Sequence, residues 1–329
     1  MSDLEREPDE DRLAVSIVDV LRRKMERDYT PSATRRDAHP KHLALLEGTF
    51  AVRPDVPPEL RVGVFAEPKT YRVWVRSSSA HGNPQSDAVK DLRGFAIKLL
   101  DVDGDKIPES DEPRSQDFVL LSIPTMPLGT VRLFHDAIYL GTEWSRLAFV
   151  AKMLATGRVR LLMELAAART NPTSPLEIRY WSTTPYQLGP DRVVKYSLLP
   201  TSGTPTRLPR RLTDTYLTDA MEQRLRTDTV TFDFAVQLRK PGMPINDSAP
   251  RWDETASPFV KVATLTIPSQ VFRTRERDQL AEELSFSPAH ARVEHRPTGS
   301  INRARMRIYR ALSDFRHQRR KLGTGLQPE

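Results

Sequence analysis

Apolar positions recur along the chain at two different periods. Over residues 13–28 (LAVSIVDVLRRKMERD) they fall at helical spacing, which predicts an amphipathic helix. From residue 49 the period shortens to two. Segments 49–53, 61–66, 71–77 and 93–100 then read as strands, and 117–123 as a buried strand. Asp103-Gly104 and the stretch from Pro108 to Pro113 mark loops. The pattern turns helical again over 131–169, in the runs EWSRLAFVAKMLA and VRLLMELAAAR, and stops at Asn171-Pro172. Strand patterns return at 176–182, 192–198, 229–239 and 259–267. In TFDFAVQLR, Phe232, Phe234, Val236 and Leu238 share one face while Asp233 and Gln237 share the other. A helix is predicted between these strands at 213–226, and another from about 301 to 320. Eight or nine strands with few βαβ alternations predict an α+β protein, an antiparallel sheet or closed β-barrel with helices packed outside. Residues 1–12 and 323–329 read as mobile ends of a single domain spanning 13–322.

Composition removes several classes of chemistry. The 329 residues contain no cysteine, which excludes disulfides, thiolate metal sites, iron–sulfur clusters and a cysteine nucleophile. Lys plus Arg is 50 against 43 for Asp plus Glu, a net charge of +7. This excess favours anionic partners, but the basic residues are spread along the chain, so nucleic acid is not expected. The start, MSDLEREPDEDR, is the opposite of a signal peptide. LAFVAKMLATG is broken by Lys152 and too short to span a bilayer. A soluble, cytoplasmic protein without a membrane partner is expected. The sequence has no phosphate loop, dinucleotide glycine fingerprint, H-E-x-x-H or G-x-S-x-G.

Two segments carry candidate chemistry. In INRARMRIYRALSDFRHQRR, Arg305, Tyr309, Leu312 and Arg316 form one helical stripe, with Tyr309 and Arg316 about 40° and about 20° from Arg305 at about 100° per residue. A guanidinium one turn before a tyrosine favours its phenolate, and tyrosinate is a known axial ligand of haem iron. The alternative is an arginine-rich surface helix with one half-buried tyrosine. In RRDAHPKHLALLEGTFAV, His39 precedes a strand and has the chemistry of a distal acid/base. The alternatives there are an idle loop histidine, or a metal site shared with His42 at i, i+3.

These segments together resemble the catalase superfamily, and within it the small bacterial catalase-related proteins. RDAHPK is similar to the segment with the distal histidine, VWVRSSS to its V-R-F-S strand, and DLRGFAIKLL to its R-G-F-A-V-K stretch. LSFSPAH resembles the segment before the proximal helix, and RMRIYRALSDFR carries its R-x-x-x-Y pattern with an arginine seven residues after the tyrosine. The resemblance runs from about residue 30 to 320, in order. It implies a catalase-like closed barrel with a C-terminal proximal haem helix, and haem b as cofactor. Tyr309 would be the iron ligand, supported by Arg305. His39 would be the distal acid/base, oriented by Ser78. Arg36, Arg76 and Arg316 would pair with the haem propionates.

The chain departs from the catalase pattern on the distal side. Where catalases have asparagine in a segment like D-F-L-L-I-N-H-P-V-F-F, this chain reads QDFVLLSIPTMPLG, with Ser122 in the asparagine position and Met126 and Pro127 in place of aromatics. Ala38 replaces the residue before the distal histidine. A counterpart of the flavodoxin-like extension and wrapping arm of large catalases is not expected. The resemblance therefore implies a haem-dependent oxidoreductase using hydrogen peroxide or an organic hydroperoxide, with weak catalase turnover, in which Ser122 also belongs to the catalytic set. Its partners would be peroxide, a small organic substrate and further copies of the chain, as a homodimer or larger oligomer. Two alternatives stay open: a dedicated enzyme that oxidises or rearranges one organic substrate, and a haem carrier or sensor.

Overall fold

The structure, a computed structural model, describes residue 6 and residues 9–201 and 206–323. Most of the expected mobile ends, 1–5, 7–8 and 324–329, lies outside the described residues. The first helix, α1 (Glu10–Asp28), begins inside the expected mobile end. Glu10 is buried and ion-paired with Arg303 at 2.8 Å.

Nine strands follow: β1 (His42–Val52), β2 (Thr70–Ser79), β3 (Arg93–Leu100), β4 (Ser115–Leu121), β5 (Tyr180–Trp181), β6 (Tyr186–Leu188), β7 (Arg192–Pro200), β8 (Val230–Leu238) and β9 (Val260–Ile267). All pairings between them are antiparallel. β5 bonds to both β4 and β7, which closes eight strands into a barrel and leaves β6 outside on β7. Strand alternation sorts the side chains. Val73, Val75, Phe95, Ile97, Phe118, Tyr196 and Phe234 fill the interior. Phe118 lies 4.7 Å from Phe234 and 5.0 Å from Tyr196, centroid to centroid. Their sequence neighbours Arg76, Ser78, Gly94, Lys98 and Asp117 point outward.

The strand expected at 61–66 is not formed. Pro57 and Pro58 open a short 3₁₀ turn at Pro58–Leu60, and a second covers Gly63–Phe65. Gly63 has φ +60, and a Cβ there would lie 2.2 Å from His295 Nε2. The apolar residues of this segment are buried for another reason: Phe65 plugs the barrel against Phe50, Phe118, Phe234 and Tyr196. The strand expected at 176–182 shrinks to β5, because Pro175–Glu177 is also a 3₁₀ turn.

The remaining helices are α2 (Val131–Tyr139), α3 (Arg146–Ala155), α4 (Val159–Ala167), α5 (Tyr216–Leu225), α6 (Arg275–Glu283) and α7 (Ser300–Gly323). A π-helical turn, Leu140–Trp144, joins α2 to α3. α1 packs its Leu13, Ile17, Leu21 and Met25 against Ile301, Ala304, Ile308 and Leu312 of α7. This apolar seam fixes α7 beside the barrel. The loop 101–114 is held down by buried Val102 and Ile107 and by bridging of Lys106 to Arg292.

Candidate functional site

The barrel's outer face and α7 enclose most of the residues singled out in the sequence. β2 presents Arg76 and Ser78 at successive outward positions, and Ser78 pairs directly with Gly94 of β3. His39 precedes β1 with φ 54, a left-handed conformation that bulky L-residues seldom adopt. Arg76 Nη2 holds this turn by donating to His39 O at 2.8 Å. The imidazole is fixed by Ser78 Oγ, 3.0 Å from Nδ1. Gly94 makes room for it, since a Cβ at Gly94 would lie 2.7 Å from His39 Nδ1 and Cε1. Burial, then Arg76, Arg305 and Arg36, push the His39 pKa down to about 3, so at neutral pH it is a neutral base.

On α7, Arg305 Nη2 donates a long hydrogen bond to Tyr309 Oη at 3.5 Å. Its Nη1 donates to Thr184 Oγ1 and Asn302 Oδ1, both at 3.0 Å. Burial opposes the Arg305 charge, but Tyr309 and Tyr186 hold its pKa above the ordinary value. Arg305 acts electrostatically on His39 and Tyr309 on Arg76, so the two halves lie within electrostatic reach of each other.

The third group is a cluster of buried cations. Arg76 and Arg316 are buried, and Arg36 is half-buried. Burial first, then like charge between them, lowers the pKa of Arg76 well below normal and that of Arg316 to about 9. Glu282 of α6 is the acid among them, 3.6 Å from Arg36 and 3.4 Å from Arg320. Burial would raise the Glu282 pKa, but His42, Arg36, Arg76 and Arg316 pull it down to about 2.

Ser122 is placed differently. Its Oγ accepts the Arg93 N–H at 2.9 Å, and its own N–H returns to Arg93 O at 2.9 Å. These bonds extend the β3–β4 ladder one residue beyond Gly94↔Leu121. Ser122 thus makes its hydrogen bonds to the Arg93 backbone, not to His39. A metal shared by His39 and His42 is not formed. His42 Nε2 faces Asp278 at 3.0 Å and its Nδ1 faces Glu282 at 3.6 Å, on opposite sides of the ring. Among the described residues no cluster of three His, Asp or Glu could hold an ion.

No protein-family model and no curated protein matches the sequence. Solved structures do. A fungal catalase superposes with a TM-score of 0.68 at 17% identity over 89% of this chain, and catalase A from Saccharomyces cerevisiae with 0.69 at 14% over 89%. A bacterial catalase superposes with 0.64 at 17% over 93%. The fold is that of the catalases. The chain spans about three fifths of those proteins, 61, 63 and 62% of their lengths.

Whether this catalase-fold chain suits a haem can be tested on its orphaned polar atoms. Arg76 Nε and both Nε and Nη1 of Arg316 are buried without a hydrogen-bond partner, and Arg36 Nη1 has only its 3.6 Å ion pair with Glu282. Unpaired buried guanidinium N–H groups are costly. A cluster that repels itself and retains free forked donors fits a ligand carrying two carboxylates, as haem does. Sequence reasoning missed Gly94, Glu282, Thr184 and Asn302. Gly94 lay within the quoted R-G-F-A-like stretch, and its position opposite Ser78 was the available signal. The other three depend on contacts between segments far apart in sequence.

Proposed function

We propose that residues 13–322 form one haem-binding domain and that the protein is a haem-dependent oxidoreductase acting on hydrogen peroxide or an organic hydroperoxide. One observation carries this reading: Arg76 and Arg316 keep three buried guanidinium nitrogens without a hydrogen-bond partner, and Arg76 lies within electrostatic reach of both His39 and Tyr309. Tyr309 is assigned as the iron ligand, with Arg305 stabilising its phenolate, and the three arginines as the propionate partners. When bound, haem supplies the redox centre that splits the peroxide O–O bond. His39 does the proton work. In the tautomer that donates Nδ1–H to Ser78, Nε2 carries a lone pair that takes the proton from one peroxide oxygen and returns it to the other. Ser78 fixes that tautomer and the ring orientation.

Peroxidase turnover with an organic reductant is favoured over oxygen release. A serine at position 122 is shorter than the expected asparagine, and its hydroxyl already accepts a backbone N–H. The same observation supports the second reading, a dedicated enzyme for one organic substrate. The test is peroxide consumption by the haem-loaded full chain, with and without a phenolic reductant. Oxidation of the reductant should exceed oxygen evolution. His39→Gln should lower turnover at least about a hundredfold while the haem spectrum is retained. Unchanged turnover in His39→Gln would contradict the assignment.

A further inference from the structure

The most apolar helices of the molecule are its least covered. α3 buries only Met153 and α4 only Leu161, whereas α1 buries eight residues. Half of the exposed large apolar side chains in the described residues lie between Tyr139 and Met163. Trp144 is 73% exposed, Leu147 78%, Leu154 53%, Val159 47% and Met163 60%. Their spacing is ordered. Leu147 and Leu154 are two helical turns apart on α3, Val159 and Met163 are one turn apart on α4, and Trp144 ends the π-helical turn just before the extended Ser145 that caps α3. An amphipathic hairpin therefore turns apolar stripes to solvent. A patch of this kind marks an interaction surface.

Charge selects the partner. Residues 139–163 carry four basic side chains (Arg146, Lys152, Arg158, Arg160) against one acidic one, Glu143, with Lys152 paired to Asp136 at 2.8 Å and Arg160 to Glu164 at 2.9 Å. Arg158 and Arg160 flank Val159 and are exposed with it. Exposed tryptophan and leucine rimmed by arginine suit an anionic phospholipid surface, where the indole sits at headgroup depth and the cations meet lipid phosphate. An identical partner chain would bring four more basic residues against these. We infer that the 139–163 hairpin is a surface anchor that docks the protein on anionic membranes without crossing them. No helix among the described residues is long and apolar enough to cross a membrane. This revises the expectation of no membrane partner, which considered only spanning segments.

The test is sedimentation of the full chain with phosphatidylcholine vesicles, with and without phosphatidylglycerol. Binding should be at least about tenfold stronger on the anionic vesicles and weaken with salt. Trp144→Ser with Leu147→Ser should reduce it at least about tenfold with an unchanged far-ultraviolet dichroism spectrum. Val271→Ser, at a residue 77% exposed elsewhere, should leave it unchanged. No binding to either vesicle would overturn the inference, as would binding indifferent to the double variant. A dimer that the double variant disperses, without lipid binding, would assign the patch to a second copy and likewise overturn it. None of these readouts depends on haem.

Discussion

The inner and outer faces of the same barrel strands are built on opposite physics. Inside, Phe118, Phe234, Tyr196 and Phe65 pack ring against ring, and the one hydroxyl among them, that of Tyr196, meets His295 Nδ1 at 3.2 Å. Outside, the intervening positions carry Arg76, Lys98 and Asp117, buried charges that depend on other charges. Two histidines five residues apart report the contrast. His295 lies against Phe65 and Tyr196, and burial followed by Arg292 and Lys106 pushes its pKa down to about 3. His290 faces the outer side of β3 and β4. Burial there would lower its pKa too, but Asp117 at 2.7 Å and Asp111 at 2.7 Å raise it to about 9. Apolar burial makes the interior stable on its own terms. The outer face is stable only where its charges are matched, and at Arg76 and Arg316 one acid, Glu282, leaves guanidinium nitrogens without a hydrogen-bond partner.

Cutting the inner face should do most damage to folding. Phe118→Ala removes the ring at the centre of the aromatic cluster and should cost about 3–5 kcal/mol, read as a lower urea midpoint. A loss under about 1 kcal/mol would mean that the interior is not the stabilising layer.

The two histidines should next show as a bounded pH window of stability. His290 has a folded pKa above its unfolded value of about 6.5. Its contribution is therefore complete below about pH 6.5 and lost as pH rises through about 9. His295 and His39, both at about 3, and His317, lowered to about 4 by burial and then Arg316, act the other way. Their unfolded forms take up protons first, so stability falls as pH drops from about 6.5 towards 3. Urea titrations at several pH values should show both limbs. His290→Leu should abolish the alkaline loss, and an unaltered alkaline limb would contradict the assignment.

The outer face should separate stability from ligand binding. Arg316→Met removes a buried guanidinium with two unpaired nitrogens. The ligand-free protein should melt at the same temperature or higher, as replacement of strained buried charges often allows. Haem affinity should fall about tenfold to a hundredfold, for one lost charged hydrogen bond. A protein destabilised without haem, with unchanged affinity, would reverse the roles of the two faces. Gly94→Ala should act more finely. The new methyl presses on His39 and Ser78, so peroxide turnover should fall about tenfold while haem binding is kept.

Much of this arrangement was legible in the sequence, because strand alternation is local. The paired faces of β8 and the Arg305–Tyr309 spacing on α7 follow from period alone, whereas Arg76 and Ser78 were singled out only through the resemblance of VWVRSSS. Segment 61–66 misled because its apolar residues are buried by a turn that plugs the barrel, and burial of a turn imitates a strand. α6 escaped because RERDQLAEE has no apolar stripe and buries only Ala281, yet it delivers Glu282 to the arginines. Thr184 and Asn302 meet Arg305 only once the chain between β5 and β6 is folded against α7. Such contacts have no period to read.

The central claim is that α7 and the outer barrel face hold a haem through Tyr309. The most direct measurement is the absorption spectrum of the purified full chain after haem reconstitution, beside that of Tyr309→Phe. The account predicts a high-spin ferric Soret band in the native protein that is lost or shifted in the variant, with the fold intact by circular dichroism. A folded native protein that takes up no haem, or an identical spectrum in Tyr309→Phe, would contradict it.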